Sequence, residues 1–151
     1  MNTQEWELPG MESVIEITKA LPHRYPFLMV DRMVEVEYMK RSKGYKHISM
    51  NEHWTAGHFP DEPLFPGVLM IETMAQVGGL MFCKADSQPA TKFYLSAVNN
   101  IKFLHPVVPG DTFMVEAELI ESFHKFHQIK CKAAVGGLTV ATGMLTLCQS
   151  I

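Results

Sequence analysis

The spacing of apolar and polar residues changes repeatedly along the chain, and each change marks an element. Residues 13–20 (SVIEITKA) set Ser13 before apolar positions at helical spacing, with Glu16 three residues on. That is a capping-box signature, and it predicts a short helix. Residues 21–27 hold two prolines and are predicted to be irregular. Residues 29–37 alternate loosely, with Val30, Val34 and Val36 among charges, and read as a first strand. Residues 40–46 (KRSKGYK) read as a polar turn around Gly44, leading into a second strand near 46–49.

The segment 57–67, Gly-His-Phe-Pro-Asp-Glu-Pro-Leu-Phe-Pro-Gly, carries three prolines and two glycines in eleven residues. No helix passes through such a run, yet its rings fix its geometry. Residues 68–82 (VLMIETMAQVGGLMF) then carry apolar side chains on nearly every face, so a helix is predicted that must be enclosed. Gly78 and Gly79 would each cost about 1 kcal/mol against alanine in an exposed helix, which points to close packing against another backbone. The last third is strand-like. Residues 92–103 are aromatic and β-branched, while 112–121, 128–135 and 138–147 alternate, the last two joined by a Gly136-Gly137 turn. One apolar helix amid five or so antiparallel strands predicts an α+β fold with a sheet wrapped around a central helix.

Composition narrows the field. With 151 residues, 47% of them hydrophobic and 19% charged, the chain is expected to form a single domain over residues 1–151, with 1–12 a loosely ordered N-terminal extension. A net charge of -3 gives no general attraction to a phosphate backbone, so nucleic acid is not an expected partner. The apolar stretch 67–82 contains Glu72 and Gln76 and is too short to span a bilayer. The acidic start lacks the order of a secretory signal, and a cytosolic protein is expected. Cys83, Cys131 and Cys148 form no C-x-x-C pair, so neither disulfides nor a cysteine zinc site is indicated. Cys83 and Cys131 are expected to be small core residues.

Three residues stand out for chemistry. Glu72 lies in the second turn of a helix built for burial, where an ionised carboxylate is costly, although the positive helix end partly opposes that cost. Gln76, one turn on, is placed to hydrogen-bond it. His58 is the residue type that exchanges protons near neutral pH, and the proline-braced loop would hold its ring. Gly67 at the head of the helix offers a backbone N–H suited to a developing oxyanion. Each has a plainer reading: a capped Glu at a helix start, a loop histidine, a glycine that merely turns Pro66 into the helix. Spacing alone does not bring His58 and Glu72 together. His53 with His58, or His124 with His127, could be taken as a metal pair, but neither forms a recognised ligand set.

The segments LPHRYPFL (21–28) with Asp31-Arg32, GHFPDEPLFPGVLMIETMAQVGG (57–79) and FYLSAVNNIKFLHPVVPGD (93–111) resemble, in order, the 3-hydroxyacyl-acyl carrier protein dehydratases of the FabZ type. The resemblance implies a hot-dog fold, a long central helix wrapped by an antiparallel sheet. It implies dehydration of a (3R)-3-hydroxyacyl-acyl carrier protein to the trans-2-enoyl form in fatty acid elongation. By position, His58 matches the catalytic histidine, Glu72 the catalytic acid, and Gly67 the N–H that polarises the thioester carbonyl. Leu64 matches the residue whose carbonyl orients the histidine ring. The family implies homodimers, with histidine and carboxylate from different subunits, often assembled as hexamers.

Asp61 and Thr73 depart from the frequent glycine and alanine, which bears on fine substrate preference. Glu72, where dehydratase–isomerases carry Asp, points to dehydration without isomerisation. The reaction needs no metal or organic cofactor, the substrate riding on the phosphopantetheine arm of acyl carrier protein. Phe59, Phe65, Met70 and Phe93, with Met74 and Met81, are candidates to line an acyl tunnel, core packing being the alternative. Lys40, Arg41, Lys43 and Lys46 would either attract an acidic carrier protein or form a solvated turn. An acyl thioesterase on the same fold, or a non-catalytic acyl-chain binding subunit, are the competing functions.

Overall fold

The computed structural model describes residues 13–84 and 90–150. The expected N-terminal extension, residues 1–12, lies outside the described residues.

Helix α1 (Val14–Ala20) starts as its sequence dictates. The Ser13 hydroxyl accepts from the Glu16 N–H at 3.3 Å, and Lys19 pairs with Glu16 at 3.1 Å. It buries Ile17 and Ala20 and stops before Pro22. Strand β1 (Arg32–Glu37) turns Met33 and Val36 inward.

Strand β2 spans Arg41–His47, so the polar turn expected over 40–46 is in fact a strand, and the chain reverses just before it, around Met39 at φ 59°. Two physical features hide this strand. Gly44 is a close-approach residue, since a Cβ there would fall on the Met33 sulfur and the Arg32 carbonyl. The cations are spent on pairing: Lys40 with Glu37 (3.0 Å), Arg41 with Glu35 (3.1 Å), Lys43 with Glu116 (3.2 Å), and the buried Lys46 with Glu52 (2.6 Å). Lys40, in the turn, stays largely exposed, whereas Lys46 is buried, so the expected polar turn shrinks to the residues before β2.

Helix α2 (Gly67–Gly79) continues into one 3-10 turn, Leu80–Phe82, covering the span its sequence predicts. Strands β3 (Phe93–Phe103), β4 (Thr112–Phe123), β5 (Phe126–Val135) and β6 (Leu138–Gln149) follow. All pairings are antiparallel, in the order β1-β2-β4-β5-β6-β3. The β5–β6 turn is Gly136-Gly137, both at positive φ, as a tight hairpin requires.

The sheet curls about α2, which touches β2, β3, β4, β5 and β6. This is the hot-dog arrangement. Met74, Val77, Leu80 and Met81 pack against Phe113, Val115, Ile129 and Leu145, all of them essentially without exposure. Each such side chain contributes roughly 1.5–3 kcal/mol by leaving water. Gly78 is required for this contact, though by side chains rather than backbone: a Cβ there would meet the Ile129 tip and the Ala117 methyl. The enclosure is one-sided, however. Val68 is 73% exposed, and Ile71, Glu72 and Ala75 are only partly covered.

Burial pushes the Cys83 thiol up to about 11 and the Cys131 thiol to about 12, so both stay protonated and unreactive near neutral pH. No helix among the described residues is long and apolar enough to cross a membrane.

Candidate active site

The loop before α2 is held by its own backbone. The Trp54 carbonyl accepts from the N–H groups of Gly57 and His58 at 3.0 and 2.9 Å, and Phe59 and Glu62 exchange N–H···O bonds. Leu64 N–H donates to the His58 carbonyl at 2.8 Å, and Phe65 N–H to Val107 at 2.8 Å. The His58–Phe59 peptide is cis. The His58 ring is then fixed on two sides. Phe59 stacks on it at 4.4 Å, and Nδ1 lies 2.8 Å from the Leu64 carbonyl oxygen. A carbonyl only accepts, so Nδ1 carries the proton and the neutral ring presents the lone pair of Nε2. His58 and Leu64 border a cleft of about 320 Å³, with Gly67, Met70, Phe103 and His105 among its walls.

Gly67 opens α2, where an N–H has no acceptor within the helix. A Cβ there would sit 2.9 Å from the Phe103 ring. The missing side chain therefore makes room for Phe103 beside the Cα, and the N–H remains as the candidate donor. Phe65 and Met70 are buried core residues that also reach this cleft, while Phe59 is half exposed over His58. Met74 and Met81 are core.

Glu72 faces elsewhere. Its side chain, 21% exposed, borders a cavity of about 40 Å³ with Leu21, His23, Ala75, Phe93 and Leu147. Gln76, at 2% exposure, donates to Glu72 Oε1 at 2.8 Å, as its spacing predicts. It is itself anchored, donating to the Phe27 carbonyl at 2.6 Å and accepting from Met29 N–H at 2.8 Å. Thr73, one of the departures from the family pattern, is buried and closes its hydroxyl on the Leu69 carbonyl at 2.7 Å.

His23 is the residue that sequence reasoning passed over. Its Nε2 lies 3.5 Å from Glu72 Oε1, and burial lowers its pKa, with Glu72 opposing and Arg24 assisting. The available signal was its seat between Pro22 and Arg24 in the irregular segment 21–27.

Within one chain, then, His58 and Glu72 border different cavities. Each side chain is held by its own hydrogen bonds, His58 by Leu64 and Glu72 by Gln76, and each faces its own cavity. Among the described residues no group of three or more His, Cys, Asp or Glu side chains gathers as a metal site, and neither His53 with His58 nor His124 with His127 belongs to one.

A FabA-like domain matches residues 21–144. A 3-hydroxyacyl-[acyl-carrier-protein] dehydratase FabZ of Geotalea uraniireducens is 47% identical over 125 residues, covering 82% of this chain and 86% of that protein. Another, of Caldicellulosiruptor bescii, is 42% identical over 136 residues, covering 89% of this chain and 96% of that protein. Among solved structures, the dehydratase heterocomplex ApeI:P from Xenorhabdus doucetiae aligns with a TM-score of 0.77 at 18% identity, covering 89% of this chain and 91% of that one. At that identity the likeness concerns the fold.

Proposed function

We propose that this chain, which belongs to the FabZ-type 3-hydroxyacyl-acyl carrier protein dehydratases, completes its active site across two copies of itself, His58 from one and Glu72 from the other. The reaction is the loss of water from a 3-hydroxyacyl thioester in fatty acid elongation. The substrate arrives on the phosphopantetheine arm of acyl carrier protein, a reading supported by relatives whose names specify that carrier.

The observation that carries the shared site is the course of β3. This strand is an edge of the sheet, eleven residues long, with Tyr94, Leu95, Val98 and Phe103 exposed. An apolar edge of that length is a template for pairing with another chain. Phe93 at one end borders the Glu72 cavity, and Phe103 at the other borders the His58 cleft. If β3 pairs antiparallel with its copy about a two-fold axis near Val98, Phe103 of one chain comes beside Phe93 of the next. The His58 cleft of each copy then opens onto the Glu72 cavity of the other. Burial of the half-covered face of α2 in the same interface would complete the enclosure that its sequence calls for. The hexamer of three such dimers that the family resemblance implies belongs to the same proposal.

In such a site His58 Nε2 takes the proton from the carbon beside the thioester carbonyl. That electron pair forms the new double bond to the third carbon as its bond to oxygen breaks. Glu72 gives its proton to the departing hydroxyl, which leaves as water. Gly67 N–H holds the charge that builds on the carbonyl oxygen. The chain's own side chains carry out every proton movement in this sequence. His58→Ala and Glu72→Ala should each lower turnover roughly 10²- to 10⁴-fold, the size of a general acid–base contribution. Hydration of a crotonyl carrier by the folded, oligomeric variants tests this, and turnover like that of the wild type in either would remove that residue from the mechanism. A thiol reagent in the same assay separates dehydration from thioesterase action, which alone releases free carrier thiol.

A further inference from the structure

We propose that His23 is a positioning residue for Glu72, holding one carboxyl oxygen with its Nε2–H so that the other is presented to the leaving hydroxyl. This inference rests on the acid–base reading above. Two nitrogen groups converge on a single oxygen: Gln76 Nε2 donates to Oε1 at 2.8 Å, and His23 Nε2 lies 3.5 Å from that same Oε1. Among the described residues these contacts both fall on Oε1, so Oε2 is the oxygen left to face a substrate.

The tautomer follows from burial. Nδ1 of His23 is buried and has no hydrogen-bond partner among the described residues. Were the proton on Nδ1, a buried N–H would go unpaired, the rarer and costlier orphan, while the Nε2 lone pair would point at a carboxyl oxygen. With the proton on Nε2, the donor faces Glu72 Oε1 across 3.5 Å, within reach of a small shift of either side chain, and only an acceptor is left unmatched. Burial also lowers the pKa of His23, so the ring acts as a neutral donor near pH 7. Among the described residues lining the shared cavity, His23 and Glu72 are the ionisable ones. Arg24, next in the chain, turns its guanidinium back onto the carbonyls of Leu21, His23 and Thr18. That tether fixes the loop and brings the imidazole to α2.

The chemistry explains why a second donor belongs there. Once Glu72 surrenders its proton it is a carboxylate in a half-buried site, and donors on Oε1 favour that product. Without His23 the carboxylate formed in the reaction loses one of the two nitrogen groups near Oε1. His23→Phe keeps a ring of similar girth and removes the donor, while His23→Gln keeps an N–H.

Steady-state dehydration across a pH series, on the intact oligomer, is the test. In His23→Phe, kcat should fall about tenfold, the usual worth of a hydrogen bond to a charged group, with KM little changed. The limb on which activity declines with rising pH should move upward. His23→Gln should recover both kcat and the position of that limb. An unmoved limb with undiminished kcat in His23→Phe overturns the proposal. So does a His23→Gln protein as impaired as His23→Phe, and where His23→Phe fails to fold the Gln variant decides alone: its limb and kcat must match the wild type. Glu72→Gln distinguishes the two layers. If that variant turns over like the wild type, the acid–base reading itself has failed; if it is inactive while the His23 variants are normal, this inference alone has failed.

Discussion

His58 Nδ1 stands 2.8 Å from the Leu64 carbonyl oxygen, and that one bond decides which face of the imidazole is basic. A carbonyl has no proton to give, so the neutral ring must carry its hydrogen on Nδ1. Nitrogen-resolved NMR of the protein near neutral pH should therefore show His58 as the Nδ1–H tautomer. A majority of the Nε2–H form would contradict the proposed role of His58, since the lone pair would then face the Leu64 carbonyl.

Gln76 and Glu72 are coupled through a buried amide that serves three partners at once: Glu72, the Phe27 carbonyl and the Met29 N–H. Gln76→Leu strands the latter two inside the fold, an expected loss of about 1–3 kcal/mol. It also frees the carboxyl group, so turnover should drop as well. Urea unfolding and the dehydration assay measure the two effects separately, and a variant unchanged in both would show the amide to be idle.

Behind Phe93, a wall of the Glu72 cavity, the His127 ring stacks on Phe82 at 4.4 Å and meets Phe93 edge-on. Burial lowers its pKa, a hydrogen bond with Gln149 partly opposing. The unfolded chain thus binds the proton more readily than the folded one. Stability from the neutral ring is fully present above the ordinary imidazole pKa of about 6.5 and is lost as pH falls through the depressed folded value. Between pH 7 and pH 5 the melting temperature should decline, and His127→Gln should decline less. Equal declines would place the sensitivity elsewhere, His23 being the next group whose pKa is lowered.

How far the sequence could be read depended on whether the deciding contact was local. The start of α1 was legible because Ser13 and Glu16 meet within one turn, and the Gln76–Glu72 bond because i and i+4 share a helix face. Strand β2 was misread because the charges and Gly44 of its segment look like a turn until the cross-strand partners Glu35 and Glu116 and the Met33 side chain are in place. His23 escaped notice for the same reason: Glu72 lies forty-nine positions away, and only the fold brings them to 3.5 Å. The apolar character of residues 68–82 predicts an enclosed helix, whereas the chain buries α2 on the sheet side and leaves Val68 exposed and Ile71 and Ala75 partly covered, because apolar composition does not say which faces the sheet reaches.

The shared site is tested most directly by a heterodimer of two crippled chains. His58→Ala and Glu72→Ala copies, carrying different tags and purified together through both, contain one site with neither change and one with both. Such a dimer should regain roughly half of wild-type turnover, since two-fold symmetry gives each pair of chains two sites. Activity no greater than that of the separate variants would mean that each chain uses its own His58 with its own Glu72, or neither.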